Sequence, residues 1–475
     1  MVDYLKYPTQ TSVKVEFMVD AEFPAITFCN LNAYKRSLIK KNHPEVFDEI
    51  EAIDDSLSTF SGLLNVSMSM LDSDVDLQTS RADKIRYKLF NERASHIDSG
   101  HSIDGMLLEC SYQNSRCHKE DFKTWAHPTY GACHSLIVDK SKFRTYHGPD
   151  FGLRVALFTE SHEYISLLTE SVGFRVHVGS RQYVPFPDNS GFTVSPGLYT
   201  AIALRQQDIH RQPLPYDGTH CYFAANDSKS LYKFWDDVVE HPVNYTATAC
   251  ERTCYARAIM TACNCVPHGL LQYDCVQQIL AKALDDAHCN TICPAACHQA
   301  QFMATATTSL WPSNKYYESA FAKWIPMSRS LCNYMQSEAN VSLGCEQSLE
   351  HLLATYPMMS SAQKDKLDQE AIKAMRKTGD HIRDIVLKVE VFYEELNREQ
   401  IIETPTYDPF KLLSSLGGTL GLFSGVSIMT MLQFIELAWR LCCNSETSEG
   451  NNNEQQAVDR QIKAAAPHAL ELYPM

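Results

Sequence analysis

Ser12, Lys14 and Glu16 alternate with Val13, Val15 and Phe17, a period of two that predicts a β-strand near the start of the chain. FPAITFCN, residues 23–30, continues as extended chain. The period then lengthens. Pro44 suits a first helical turn, and Phe47, Ile50, Ile53 and Leu57 recur at three and four, which predicts an amphipathic, peripheral helix. Residues 60–105 are polar and aperiodic and read as a loop-rich outer region. Between Phe151 and Leu204 the runs RVALF, FRVHV and YTAIAL, separated by PFPDNSGF and SPG, predict strands of one mixed or antiparallel sheet. Ser360 to Lys377 is polar and helix-forming, with Gly379 as its stop, and LKVEVFYEEL from Leu387 to Leu396 alternates as a half-buried strand.

Between Lys411 and Glu436 the pattern loses its charges altogether: 24 consecutive residues, LLSSLGGTLGLFSGVSIMTMLQFI, carry none. At about 1.5 Å per residue, a helix of that length crosses a hydrocarbon core of about 30 Å, so residues 412–435 read as a membrane span. Gly417, Gly421 and Gly425 fall on one helix face, Ser414, Ser415, Thr419, Ser424 and Ser427 add hydroxyls, and Glu436 places a carboxyl at the exit. Two readings fit these residues: a glycine-rich dimerising anchor, or a helix that lines water in an oligomer. Glu436 likewise reads either as a pore carboxylate or as an interfacial charge paired with Arg440, four residues on.

Composition places the rest of the chain. Its 475 residues and mean hydropathy of -0.27 contain no second segment of comparable apolar length. A formal net charge of -15 disfavours a nucleic-acid partner. Of 17 cysteines, 15 lie between Cys29 and Cys345, and eight of these fall within the 48 residues from Cys250 to Cys297. An oxidised, extracellular domain is the reading that follows, with two helices or hairpins stapled side by side over residues 245–300. Zinc is the alternative, because Cys250/Cys254 and Cys263/Cys265 have ligand-like spacings. Sequons at Asn65, Asn226, Asn244 and Asn340 support the extracellular reading. Residues 1–30 hold no signal-peptide core, so sequence upstream of Met1 is expected to contain an apolar stretch of about 20 residues. The tail after Arg440 reads as disordered, with Cys442 and Cys443 as palmitoylation candidates or plain thiols. No catalytic constellation emerges, no histidine pair has metal spacing, and no enzyme, metal or cofactor is expected.

Several segments, in order, resemble the degenerin, epithelial sodium channel and acid-sensing ion channel superfamily. FPAITFCNLN at residues 23–32 resembles the segment that follows that family's first transmembrane helix, HPTYGAC at 127–133 its finger motif, and GFTVSPGLYT at 191–200 its strand turn. YTATACERTC, CNC at 263–265 and the cysteine run ending at Cys297 are similar to its thumb, in a spacing closer to the epithelial sodium channel branch. LLSSLGGTLGLFSGVS resembles its second transmembrane helix. The resemblance implies an α+β fold. A disulfide-rich extracellular domain, with a β-sheet palm and β-ball and a helical finger and thumb, would span residues 1–407. A pore-lining transmembrane helix over 408–441 and a cytoplasmic tail over 442–475 would follow, the first transmembrane helix lying upstream of Met1.

The resemblance also implies roles. Gly425, Val426 and Ser427 fill the selectivity motif, Ser414 the position of the gate and of amiloride-type block, and Glu436 a pore carboxylate ring. Tyr7 and Tyr216 are the implied wrist aromatics. The implied disulfides are Cys29–Cys133, Cys110–Cys117, Cys221–Cys297, Cys250–Cys293, Cys254–Cys289 and Cys265–Cys275. Cys332 then pairs with Cys345 and leaves Cys263 as an odd thiol, or Cys263 takes one of those two. Departures matter too: a second family carboxylate is Gln433 here, and Gln182 and Tyr183 replace acidic-pocket residues, which argues against proton gating. The implied protein is a subunit of a trimeric, voltage-insensitive, amiloride-sensitive sodium channel in the plasma membrane, whose partners are sodium ions, related subunits and the lipid bilayer. The rival reading from the residues alone is a single-span, cysteine-rich receptor or adhesion protein.

Overall fold

The computed structural model describes residues 6–61, 97–138, 144–213, 221–222, 234–239, 242–263, 288–313, 328–339, 360–366, 382–424 and 428–443, with isolated positions between them. The chain divides into two units, residues 9–404 and residues 1–8 with 405–475.

The larger unit is built on strands β1 (Thr9–Phe17), β2 (Ala21–Glu22), β3 (Ala25–Asn30), β4 (Leu107–Tyr112), β5 (Ser115–Arg116), β6 (Phe122–His127), β7 (Gly131–Leu136), β8 (Arg144–Thr145), β9 (Leu153–Phe158), β10 (Phe174–Gly179), β11 (Phe192–Val194), β12 (Leu198–His210), β13 (His298–Leu310) and β14 (Val386–Pro405). A seven-stranded sheet runs β13-β12-β14-β9-β4-β5, with β1 added against β14, and a five-stranded sheet runs β11-β10-β3-β7-β6. The first is mixed, since β12 and β14 are parallel while β12–β13, β14–β9 and β4–β9 are antiparallel.

The three apolar runs expected in one sheet are thus divided between two. RVALF and YTAIAL lie in the seven-stranded sheet, whereas FRVHV pairs with β3 in the other, Phe174 opposite Asn30. Period-two alternation reports a strand and its buried face but not its neighbour, so the division could not be read from the runs. FPAITFCN lacks alternation for a physical reason: β3 is central and all of its residues are buried. The strand expected over Leu387–Leu396 is twice as long. Its first half, with Val389, Val391 and Tyr393, packs in the main core, and its second half is only partly covered. β1 is a strand as expected, yet Val13, Val15 and Phe17 remain exposed within the chain.

Pro44 does open a helix, Pro44–Ser61, which buries Phe47 and Ile50. The region 60–105 is a partial miss. Ala82, Ile85 and Leu89 are helical and buried, the last two in the same cluster as Phe47 and Ile50. Their spacing of three and four was present in the sequence but interrupted by charge. The helix Arg329–Ala339 and the strand β13 were also not expected. The helix expected over Ser360–Lys377 is described only at residues 361–366 and 369.

A tight turn closes the β6–β7 hairpin. His127 Nδ1 accepts from the Thr129 and Tyr130 amides at 3.1 and 3.3 Å, and Gly131 follows at φ +70°. A Cβ at Gly131 would lie 2.2 Å from the Ala33 carbonyl oxygen, so alanine there carries both backbone strain and a backbone clash. Gly131→Ala is expected to destabilise the protein by about 2–3 kcal/mol, read from denaturant unfolding of wild type and variant. A difference under about 0.5 kcal/mol would show that the turn is not built this way.

Candidate functional site

The charge-free segment begins on a helix start. Asp408 Oδ1 accepts from the Lys411 amide at 2.6 Å, and Pro409, with no N–H to satisfy, opens the helix Pro409–Ser424. A second helix covers Ile428–Cys443. Each is 16 residues long, and among the described residues no helix is long and apolar enough to cross a membrane by itself. The single uninterrupted span expected over 412–435 is therefore described as two helices, with Gly425, Val426 and Ser427 outside the described residues.

These helices are apolar without cover from their own chain. Phe410, Leu422 and Phe423 are each 83% exposed, and Leu413, Met429, Phe434, Ile435, Trp439 and Leu441 are exposed as well. Water does not tolerate a contiguous apolar surface of that kind, so other protein or lipid must meet it. Ser414 is exposed on the first helix. A Cβ at Gly417 or Gly418 would touch nothing within 4 Å, so no contact inside the chain demands glycine there. Glu436 is paired with Arg440 Nη2 at 2.6 Å, both side chains largely exposed. That is the i,i+4 geometry of the interfacial reading, and it leaves the carboxylate at the surface.

Tyr7, at φ 48°, and Pro8 belong to the same unit as these helices, and Pro8 O accepts from the Thr406 amide at 2.9 Å. Tyr216 belongs to the larger unit, half-buried in a turn where its amide donates to Pro213 O. The two strands that lead in sequence to the helical unit are paired with each other. Ser12 of β1 donates to Ile402 O, Thr404 of β14 donates to Gln10 O, and Glu16 of β1 binds Arg398 at 2.9 Å.

Within the larger unit, disulfides join Cys29 to Cys133, Cys110 to Cys117, Cys221 to Cys297, Cys250 to Cys293 and Cys254 to Cys289. The last two tie the helix Ala247–Cys263 to the helix His288–Ile292, the side-by-side stapling expected of the cluster. Cys250 and Cys254 are consumed in bonds and so are not zinc ligands. Cys332 is disulfide-bonded, its partner outside the described residues, as are Cys265, Cys275 and Cys345. Of the sequon residues, Asn65, Asn226 and Asn340 lie outside the described residues, while Asn244 is half-buried and donates to Gln182 Oε1 at 3.1 Å.

Two polar joints had no sequence signal. In the first, Glu160 is fully buried between Lys35 Nζ at 2.7 Å and His101 Nδ1 at 2.8 Å. Burial alone would raise the Glu160 pKa, but the His101 hydrogen bond and the Lys35 charge prevail and hold it down at about 2. Burial pushes His101 downward and keeps it neutral, so its Nδ1–H donates to Glu160 and its Nε2 accepts from Asn32 Nδ2. Asn30 and Asn32 of the CNLN motif extend the joint. Asn30 donates to Thr159 O at 2.9 Å, and Asn32 Oδ1 accepts from Thr169 at 3.0 Å. In the second joint, Asp188 meets Arg252 of the helix Ala247–Cys263 at 2.7 Å and faces His127 Nε2 of the β6–β7 turn at 3.5 Å, while the Arg252 guanidinium sits over Phe186. Burial would raise the Asp188 pKa, but His127 and Arg252 lower it well below the usual carboxylate range.

Comparison with known proteins gives these features a context. The chain is 26% identical over 469 residues to acid-sensing ion channel 2 of Danio rerio, covering 92% of this chain and 73% of the relative. It is 27% identical over 381 residues to degenerin mec-10 of Caenorhabditis elegans, 76% of this chain and 44% of the relative. It is 28% identical over 366 residues to the epithelial sodium channel subunit delta of Pan troglodytes, 72% of this chain and 48% of the relative. The family profile described as amiloride-sensitive sodium channel matches residues 1–437, from the first β-strand through Glu436, and the chain belongs to that family.

Proposed function

We propose that the chain is a pore-forming subunit of a trimeric, voltage-insensitive, amiloride-sensitive sodium channel of the plasma membrane, opened by an extracellular stimulus. The observation that carries this reading is the helical pair at residues 409–443. Most of its described apolar side chains are exposed, Gly417 and Gly418 meet nothing within 4 Å that would demand glycine, and its residues 409–437 fall within the family match. In this reading residues 1–407 are extracellular, 408–441 line the pore within the bilayer, and 442–475 are cytoplasmic. Gly425, Val426 and Ser427 form the narrowing, where backbone carbonyls and a hydroxyl replace part of the hydration of sodium. Ser414 stands at the gate. Three Glu436 carboxylates draw cations to the pore, each releasing Arg440 to do so. Tyr7 and Tyr216 are the wrist aromatics of this reading, and β1 and β14, paired with each other, are the strands next to the helical unit in sequence. Asn65, Asn226, Asn244 and Asn340 are the glycosylation positions, and Cys265–Cys275 and Cys332–Cys345 complete the disulfides.

The test is a recording. The full-length protein at the surface of oocytes under voltage clamp is expected to give a sodium current, ohmic in voltage and blocked by amiloride. Surface protein with no such current, with or without related subunits, would leave the single-span receptor as the better reading.

A further inference from the structure

Asn244, Tyr245 and Thr246 form the one sequon whose asparagine is among the described residues. Asn244 lines a cleft of about 270 Å³ together with Gln182, Tyr222, Tyr245 and Gln299. Tyr222 is 47% exposed there, although its ring packs against that of Tyr245 with centroids 4.7 Å apart. We propose that this cleft seats the N-linked glycan of Asn244, with the first N-acetylglucosamine stacked on the Tyr222 ring. The inference rests on the extracellular reading given above, in which Asn244 is a glycosylation position.

Three observations support the assignment. The first is the attachment point. The Asn244 amide donates to Gln182 O at 2.8 Å and its Nδ2 to Gln182 Oε1 at 3.1 Å, and both residues line the cleft, so a sugar on Nδ2 starts at the cleft wall. In the transfer, Nδ2 attacks C1 of an oligosaccharide carried on a polyprenyl diphosphate. The C1–O bond breaks, the diphosphate leaves with the electron pair, and the amide loses one proton. Nδ2 keeps its other hydrogen, which is enough for the Gln182 bond. The second is the order of events. In the fold Thr246 Oγ1 accepts from the Ala249 amide at 3.2 Å, capping the helix Ala247–Cys263, and Asn244 is half-buried. The sequon is thus closed once the segment folds. Attachment comes first, and the segment folds around the sugar. The third is the lining. A pyranose ring has C–H faces and a polar rim, and the cleft offers an aromatic ring with the side-chain amides of Gln182 and Gln299 beside it. Tyr222 is held in place: its amide donates to Ala295 O at 2.8 Å, its carbonyl accepts from the Cys297 amide at 3.1 Å, and the preceding Cys221 is bonded to Cys297. Little freedom remains to be lost on stacking. The covalent link makes docking intramolecular, so a weak stacking contact suffices. The volume is near the lower end of small-ligand clefts, about 300 Å³, and suits the first sugars while the outer branches stay in solvent.

The experiment digests the full-length protein, purified from eukaryotic cells in detergent, with peptide N-glycosidase under native conditions. Mass spectrometry in heavy-oxygen water follows release at each sequon. Release at Asn244 is expected to be at least about tenfold slower than in the denatured protein, because only the undocked fraction of the glycan is open to the enzyme. Tyr222→Ala should bring the rate to within about twofold of the denatured one, and Tyr222→Phe, which keeps the ring, should stay within about twofold of wild type. Rates at Asn65 and Asn340 serve as internal references, unchanged in Tyr222→Ala, and so separate loss of stacking from unfolding. Asn244 without a glycan would overturn this seating and the assignment of that glycosylation position together. A glycan on Asn244 that is released at the denatured rate, protection that survives Tyr222→Ala, or protection lost equally at all sites would overturn the seating alone and leave the glycosylation position standing.

Discussion

Glu160→Gln is expected to destabilise the larger unit by about 3 kcal/mol, and to flatten its stability profile below pH 5. Glu160 sits where the chain leaves β9 in the left-handed region, at φ 52°, with its carboxylate buried. One oxygen takes Lys35 and the other His101, so the residue pins the segment entering the helix Arg36–Asn42 to the loop before the short helix Ile103–Met106. Glutamine keeps the shape but removes the charge. The Lys35 ammonium, whose side chain is 13% exposed, then lacks its counter-charge. The size follows from the ordinary pKa of 4.5 falling to about 2 in the fold, each unit being about 1.4 kcal/mol. The sign follows from linkage: a depressed carboxylate pKa gives stability that is complete above about pH 4.5 and is lost as pH falls toward 2. His101, also depressed, adds a loss in the same direction, because the unfolded chain takes up its proton below about pH 6.5 and the folded chain does not. Urea unfolding of wild type and Glu160→Gln between pH 7 and 3 checks both parts. A variant within about 1 kcal/mol of wild type at pH 7, or one with the same slope below pH 5, would show that the buried pair does not hold these segments.

That cluster also marks how far the residues alone could be read. The β-branched runs of β9, β10 and β12 announced themselves, as did the helix at Pro44 and the stapled helices, because each signal is carried by residues adjacent in sequence. β13 did not, although it pairs with β12 over its whole length from His298 to Leu310. Its Ala, Thr and Gln residues sit at the sheet edge, mostly half-covered or exposed, and an edge needs little hydrophobic contrast. The polar joints were invisible for another reason. Glu160 lies 125 residues from Lys35 and 59 from His101, so the only local sign was an ordinary Glu in an ordinary loop. The CNLN asparagines were noticed as part of a resemblance, but their work, holding the 159–169 loop with side-chain amides, comes from contacts more than 120 residues away in sequence. The helical segment was the reverse case. Its composition was legible at once, and its partners, being other chains and lipid in the proposed function, are not within the chain.

Ser414→Phe is expected to raise the sodium current at rest at least about tenfold, a shift of about 1.4 kcal/mol between closed and open states. Ser414 is exposed two turns or less from the Asp408 cap, on the helix that carries Gly417 and Gly418. In the proposed trimer three copies of this helix approach at the gate, and closure needs a small side chain at the crossing, as it does wherever helices meet through Ser and Gly. A phenyl group there cannot be accommodated by glycines that leave open space only while the helices are apart. The closed state is therefore penalised, and the open state is not, which is the condition for a population shift. Two controls bracket the argument. Ser414→Ala, which keeps the side chain small, should leave the resting current near wild type. Ser415→Phe adds the same bulk about 100° around the helix and should not reproduce the effect. Surface labelling of each variant separates gating from expression. If Ser414→Phe reaches the surface and is silent at rest, or if Ser415→Phe opens the channel equally well, the close crossing is not at Ser414 and the gate must be sought elsewhere on the helix.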